Sequence, residues 1–253
     1  MSNHPRHGRS ARPATQPPAS ILYLASASPR RSEILRQIGV PHDVLHVPSP
    51  PGEDEPHLAG ESPDDYVRRT ALEKAERAQQ WLLAKNMHIA DHTAHSHILD
   101  MRADNNDVDH APHREELRPV LTADTTVALE GHILGKPQDV QEAASMLNSL
   151  SGRTHRVLTA VVLAHQGRLY QACSISQVRF RNLSQAEIQD YCRSGEPMGK
   201  AGAYGIQGRA AIFIAHLTGS YTGVMGLPAC ETWQLFTEAG LELSSTLAPR
   251  TYT

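Results

Sequence analysis

Residues 22–39 read LYLASASPRRSEILRQIG, and the fold is read outward from this stretch. The apolar run at 21–24 predicts a short strand entering a small-residue loop, Ala25-Ser26-Ala27-Ser28. Ser28 suits a helix N-cap, Pro29 the first helical position and Gly39 a left-handed stop, so a helix fills the interval. Ile34, Leu35 and Ile38 give that helix one apolar face, which predicts packing on a sheet. Its first turn carries Arg30 and Arg31. A strand, a tight loop and a helix N-terminus with spare N–H donors and guanidinium groups make a seat for phosphate. A phosphorylated ligand is the first expectation.

At 253 residues the chain has room for one large domain or two small ones. Its 40% hydrophobic content is low for that length, which points to polar segments diluting an ordinary domain. Net charge is −3, giving no reason to expect nucleic-acid binding. Cys173, Cys192 and Cys230 are widely spaced and form no CxxC pair, so plain thiols in a reducing compartment are expected. No apolar run approaches the ~18 residues of a membrane span, and the arginine-bearing N-terminus has no apolar core of a secretory signal. The expectation is a cytoplasmic protein with no membrane partner.

Residues 1–20 hold three arginines, four prolines and no acid, which reads as a disordered basic tail. A domain is expected over 21–245, with a second tail at 246–253. Glu53, Asp54 and Glu55 lie in a Pro-rich loop. Ser62, Pro63 and Asp65 then open a helix expected to reach about Leu83. Its buried stripe is Val67, Thr70, Ala71, Ala75, Ala78 and Leu82. Lys74 falls in that stripe, either snorkelling outward or aimed at an anion beside the sheet. Residues 84–119 hold six of the fifteen histidines and five aspartates without sustained periodicity. No HExxH pair or assisting cysteine accompanies them, so a flexible surface insertion is expected.

VLTADTTVAL at 120–129 reads as a buried strand interrupted by Asp124. An acid there is costly unless it is paired, hydrogen-bonded or metal-bound. Threonines 122, 125 and 126 are possible structural partners; a catalytic or metal role is the alternative, since such acids concentrate at sites. Lys136 follows in a turn close by in sequence. Further on come a helix at 139–150 and two strands joined by the hairpin signal His165-Gln166-Gly167-Arg168. A capped helix from Ser184 precedes a loop in which Gly199, Gly202, Gly205 and Gly208 recur every third residue. A strand at 210–217 and a last helix from Pro228 complete the pass. Interleaved strands and helices with hairpins between them predict a mixed α/β, or α+β, sheet flanked by helices.

LASASPRR at 24–31, LEKA at 72–75, ADT at 123–125, GKP at 135–137, KAGAYGIQG at 200–208 and GSYTGVMGLP at 219–228 occur in the order found in Maf proteins. The chain resembles this family of septum-formation-inhibitor-like nucleoside triphosphate pyrophosphatases over roughly residues 21–243. The resemblance implies a long twisted mixed sheet with a central cleft, similar to inosine triphosphatase, and commonly a homodimer. It also implies hydrolysis of a nucleoside triphosphate to the monophosphate and pyrophosphate with a divalent cation, Mg²⁺ or Mn²⁺.

Position by position, Asp124 matches the family's proton-accepting acid, with Lys74 and Lys136 as companion catalytic cations. Ser26, Arg30 and Arg31 match nucleotide contacts. Glu55 matches an acid near the metal, and Asp124 is its companion ligand; whether Asp124 is base or ligand stays open. Arg30, Thr125 and Gln207 resemble the branch acting on dTTP and UTP rather than the branch preferring 7-methyl-GTP. The Gln207 amide can both donate to and accept from a pyrimidine edge. Rival expectations are a pyrophosphatase for non-canonical purine nucleotides and a cell-division regulator acting by partner binding.

Overall fold

The computed structural model describes residues 19–50, 55–100, 118–241 and 243, with backbone alone over 86–100. Residues 1–18 of the basic tail, Glu53, Asp54, residues 101–117 and the whole C-terminal tail at 246–253 lie outside it. The opening stretch forms strand β1 (Leu22–Leu24) and helix α1 (Pro29–Gln37), followed by β2 (His42–Val44). Gly39 adopts the expected positive φ of 75°. Ser28 occupies the N-cap, but its hydroxyl makes no capping bond; its N–H donates instead to Ser26 Oγ at 3.2 Å.

Helix α2 (Pro63–Asp100) starts at the expected Ser62–Asp65 cap, where the Asp65 N–H donates to Ser62 Oγ at 3.1 Å. Its predicted stripe is buried from Val67 to Leu82. The helix does not stop near Leu83. Residues 84–100 contain neither Gly nor Pro, so nothing in the backbone breaks the ladder, and the first half of the expected insertion is helical.

Strand β3 (Val120–Leu129) is the axis of a seven-stranded sheet ordered β2-β1-β3-β5-β6-β7, with β5 (Thr154–His165), β6 (Arg168–Phe180) and β7 (Ile214–Thr218) antiparallel in sequence. The β5–β6 hairpin turns on Gln166 and Gly167, both at positive φ, as the sequence signal requires. Residues 210–213, expected in the last strand, form a short 3₁₀ turn (Arg209–Phe213) before β7 begins.

The other edge of β3 has two partners. Parallel β1 pairs with it as far as Leu121, and antiparallel β4 (His132–Leu134) takes over from Val127. Among the described residues no strand pairs with 122–126 on that edge, so the sheet is split there.

The odd-numbered residues of β3 share one face of the sheet, and position along the strand divides them between two cores. Leu121 and Ala123 enter one core with Leu22, Leu24, Ile34 and Phe236, whereas Val127 and Leu129 enter a second with Leu147, Val157, Phe180 and Phe213. The first core is covered by α1 and α6 (Ala229–Glu238), the second by α3 (Val140–Leu150) and α4 (Gln185–Arg193). Thr125 stands between the two cores. Across the sheet Thr125 is opposite Thr159, and Thr159 opposite Ser174, so a row of hydroxyls crosses the waist. Helix α5 (Tyr221–Met225) lies over this row, and its Gly223 carbonyl accepts from Thr159 Oγ1 at 2.8 Å. On the opposite face, Val67, Ala71 and Ala75 of α2 pack on Ala128, Leu158, Ala160 and Val162.

Gly202 illustrates how the glycine-spaced loop fits this frame. It has φ +66°, and a Cβ there would come within 2.9 Å of the Val127 side chain. Gly202→Ala is expected to cost about 1–3 kcal/mol in urea unfolding, through left-handed strain and a crowded core. An unchanged midpoint would contradict this close fit.

Candidate functional site

The split in the sheet opens into a cleft of about 430 Å³. Both faces of β3 meet there. Asp124 is on the α2 face and only 4% exposed. Of the threonines offered as structural partners, Thr122 donates to the Ala71 carbonyl and Thr125 turns to the other face. Thr126 reaches Asp124 only at a long 3.5 Å.

The partner of Asp124 is Lys74, whose Nζ donates to Oδ1 at 2.7 Å. Lys74 is therefore on the buried stripe to meet an anion, and does not snorkel away from it. Burial pushes the Asp124 carboxyl upward, but the Lys74 ammonium and the Arg31 charge more than offset this and hold it below the usual aspartate range. Asp124 is ionised, with its charge directed into the cleft.

The Lys74 ammonium also pairs with Glu55. Glu55 is held in place by α2, because the Tyr66 hydroxyl donates to its backbone carbonyl at 3.1 Å. Arg69 fastens the same loop, bonding the Pro56 carbonyl at 2.9 Å and the Glu61 carboxylate at 2.6 Å. Lys136, exposed in the turn after β4, extends the charge chain with its Nζ 3.9 Å from Glu55 Oε2. Asp124, Lys74, Glu55 and Lys136 thus form an alternating run of charges.

Across the cleft, Arg31 is clamped by three acceptors from distant parts of the chain. Nε donates to the Gly226 carbonyl at 2.8 Å, one terminal nitrogen to Ser26 Oγ at 2.9 Å and the other to Thr125 Oγ1 at 3.4 Å. A guanidinium has five N–H donors, so the clamp leaves capacity for an oxyanion. Thr125 also shares a 3.0 Å bond with Thr159.

Eight of the nine residues singled out in the sequence line one cleft: Ser26, Arg30, Arg31, Glu55, Lys74, Asp124, Thr125 and Lys136. Gln207 does not join them. It is exposed, and the same loop presents Lys200 and Tyr204 to the cleft instead. Both lie inside the quoted KAGAYGIQG segment, so the signal for them was present but unassigned. The Tyr204 hydroxyl is engaged by His155 Nε2 at 2.8 Å, and burial pushes the His155 pKa down to about 4. Among the described residues no group of three or more His, Cys, Asp and Glu side chains could hold a metal ion.

A family model described as Maf-like protein matches residues 21–239. The chain belongs to the Maf family. Maf relatives of high similarity include a protein of Bordetella pertussis, 54% identical over 228 residues, covering 90% of this chain and 96% of that protein. Others come from Ralstonia nicotianae, at 46% identity with 90% and 99% covered, and Dechloromonas aromatica, at 44% with 87% and 97% covered. All three are named dTTP/UTP pyrophosphatase. The mixed seven-stranded sheet with flanking helices is the architecture expected of a Maf chain.

Proposed function

We propose that this Maf protein hydrolyses dTTP and UTP to the monophosphate and pyrophosphate. The observation that carries this reading is the ionised, buried Asp124 aimed into a cation-rich cleft at the split in the sheet. The names of the relatives support the substrate class.

In this reading Arg31, Lys136 and the Ser26 hydroxyl hold the triphosphate, which needs positioning and charge neutralisation more than covalent help. Asp124 accepts a proton from the water that attacks the α-phosphorus. A bond forms from the water oxygen to that phosphorus, and the bond to the bridging oxygen breaks with departure of pyrophosphate. Lys74 keeps Asp124 ionised beforehand and stabilises the charge developing on the phosphate.

A divalent cation, Mg²⁺ or Mn²⁺, fits the donor set. Asp124 and Glu55 already converge on a single cationic centre, the Lys74 ammonium, and Mg²⁺ is commonly held by one or two carboxylates plus substrate phosphates. When bound it would neutralise phosphate charge and polarise the scissile group. Pyrimidine choice rests in this reading on Arg30 and Thr125, with Gln207 at the outside of the adjoining loop. A homodimer belongs to the same proposal; Leu169 and Ile175, on one face of β6 and 39% and 44% exposed, supply apolar area for such a contact.

The test is pyrophosphate release from a panel of nucleoside triphosphates with Mg²⁺ or Mn²⁺. dTTP and UTP are expected to lead the panel by at least about tenfold in kcat/KM. Absence of product from both refutes the function. Preference for a purine nucleotide, 7-methyl-GTP included, refutes the specificity alone.

A further inference from the structure

The loop running from Glu196 to Arg209 is fastened at both ends by one side chain. Half-buried Glu196 accepts from the Tyr191 hydroxyl through Oε1 at 3.1 Å and from the Arg209 backbone N–H through Oε2 at 3.0 Å. Gly208 permits the closure, because a Cβ there would stand 2.1 Å from Glu196 Oε1. The backbone carbonyl of Glu196 accepts from the Lys200 ammonium. Between the fastened ends, Met198, Gly199, Lys200, Ala201 and Tyr204 form one wall of the cleft.

The Glu196 carboxylate also has a charge role. Arg30, from α1, and Lys200, from the loop, both feel its attraction, and Lys200 feels the repulsion of Arg30. Burial disfavours the charged forms of Arg30 and Lys200, and the Glu196 carboxylate offsets part of that cost at both. The charge chain around Asp124 is a different set of residues. Arg31, Lys74 and Lys136 surround the carboxylates at the phosphate end, while the wall with Met198 and Tyr204 offers apolar atoms and glycine backbone, which suit a nucleoside.

We propose that Glu196 is a positioning residue for substrate choice, fixing the loop and the Arg30–Lys200 pair that meet the nucleoside half of the substrate. This rests on the pyrophosphatase reading above. Glu196 touches no reacting atom, so its removal acts on binding and discrimination more than on turnover.

In Glu196→Ala, KM for dTTP is expected to rise about tenfold, and preference over purine triphosphates to fall by a similar factor, with kcat within about threefold of wild type. Glu196→Gln keeps one of the two acceptor oxygens without the charge and is expected to recover part of the KM. Gly208→Ala keeps the charge but displaces the carboxylate, and is expected to raise KM in the same direction. If Glu196→Ala fails to fold, those two variants carry the test. Unchanged KM and discrimination in the folded variants overturn the proposal, as does an equal fall in kcat and kcat/KM with discrimination intact. Wild-type enzyme on dTTP is the internal control. If it releases no pyrophosphate, the functional reading has failed; if it does and the variants match it, only the role of Glu196 has failed.

Discussion

Asp124→Asn is expected to lower kcat for the best pyrimidine triphosphate by about 10³-fold while the protein stays folded. That factor corresponds to about 4 kcal/mol of barrier. The amide is nearly the shape of the carboxylate it replaces, so the loss reports proton acceptance rather than packing. Lys74 keeps Glu55 as its counter-ion in the variant, which limits the structural damage. Steady-state pyrophosphate release together with a thermal unfolding scan measures both. An undiminished rate in a folded variant would remove Asp124 from the chemistry. A lost rate with a collapsed unfolding midpoint would make it a structural aspartate.

The second large effect concerns Lys74→Met, which conserves much of the volume but leaves Asp124 buried without its ammonium. Breaking a buried pair from one side costs about 3 kcal/mol, taken at the low end because Arg31 still acts on Asp124. The sign of the pH dependence follows from the carboxyl. In the wild type its folded pKa is depressed, burial being outweighed by Lys74 and Arg31. Its contribution is therefore complete above the unfolded aspartate pKa of about 3.9, and is lost as pH falls through the lower folded value.

In the variant burial prevails, the folded pKa rises above the unfolded one, and the group opposes folding at neutral pH. Protonation relieves that penalty on acidification. The stability gap between wild type and Lys74→Met is thus expected to be widest near about pH 7 and to narrow toward about pH 4. Urea unfolding at several pH values measures it. A gap independent of pH would mean that Lys74 stabilises by packing and not by pairing with Asp124.

Local sequence was sufficient for whatever depends on neighbours within a turn or a strand. The strand–loop–helix at 22–39, the Ser62 cap, the turn at Gln166-Gly167 and the buried stripe carrying Lys74 all follow from nearby residues, because capping, positive φ and helical periodicity are short-range effects. An acid inside the apolar run of β3 was equally visible, since its desolvation cost needs no knowledge of the fold. The far end of α2 differs for a related reason: scattered histidines and aspartates suggest a loop, but helices end on Gly, Pro or lost packing, and neither Gly nor Pro occurs between Leu83 and Asp100.

Tertiary structure alone decided what these parts do together. Which strands flank β3 is a matter of non-local pairing, and it is the handover from β1 to β4 that leaves 122–126 open as a cleft. Alternation along a strand says that Asp124 and Thr125 point opposite ways. Only the packed helices show that one meets Lys74 and the other Arg31. The Arg31 clamp joins residues 195 positions apart, beyond any local pattern. Glycines recurring every third residue do not say which side chains of that loop face the cleft; the structure places Lys200 on it and leaves Gln207 exposed. Residue types and their order determined the chemistry available to this chain. Pairing, register and loop closure determined which of those groups share one cleft, because those contacts exist only when distant segments are brought together.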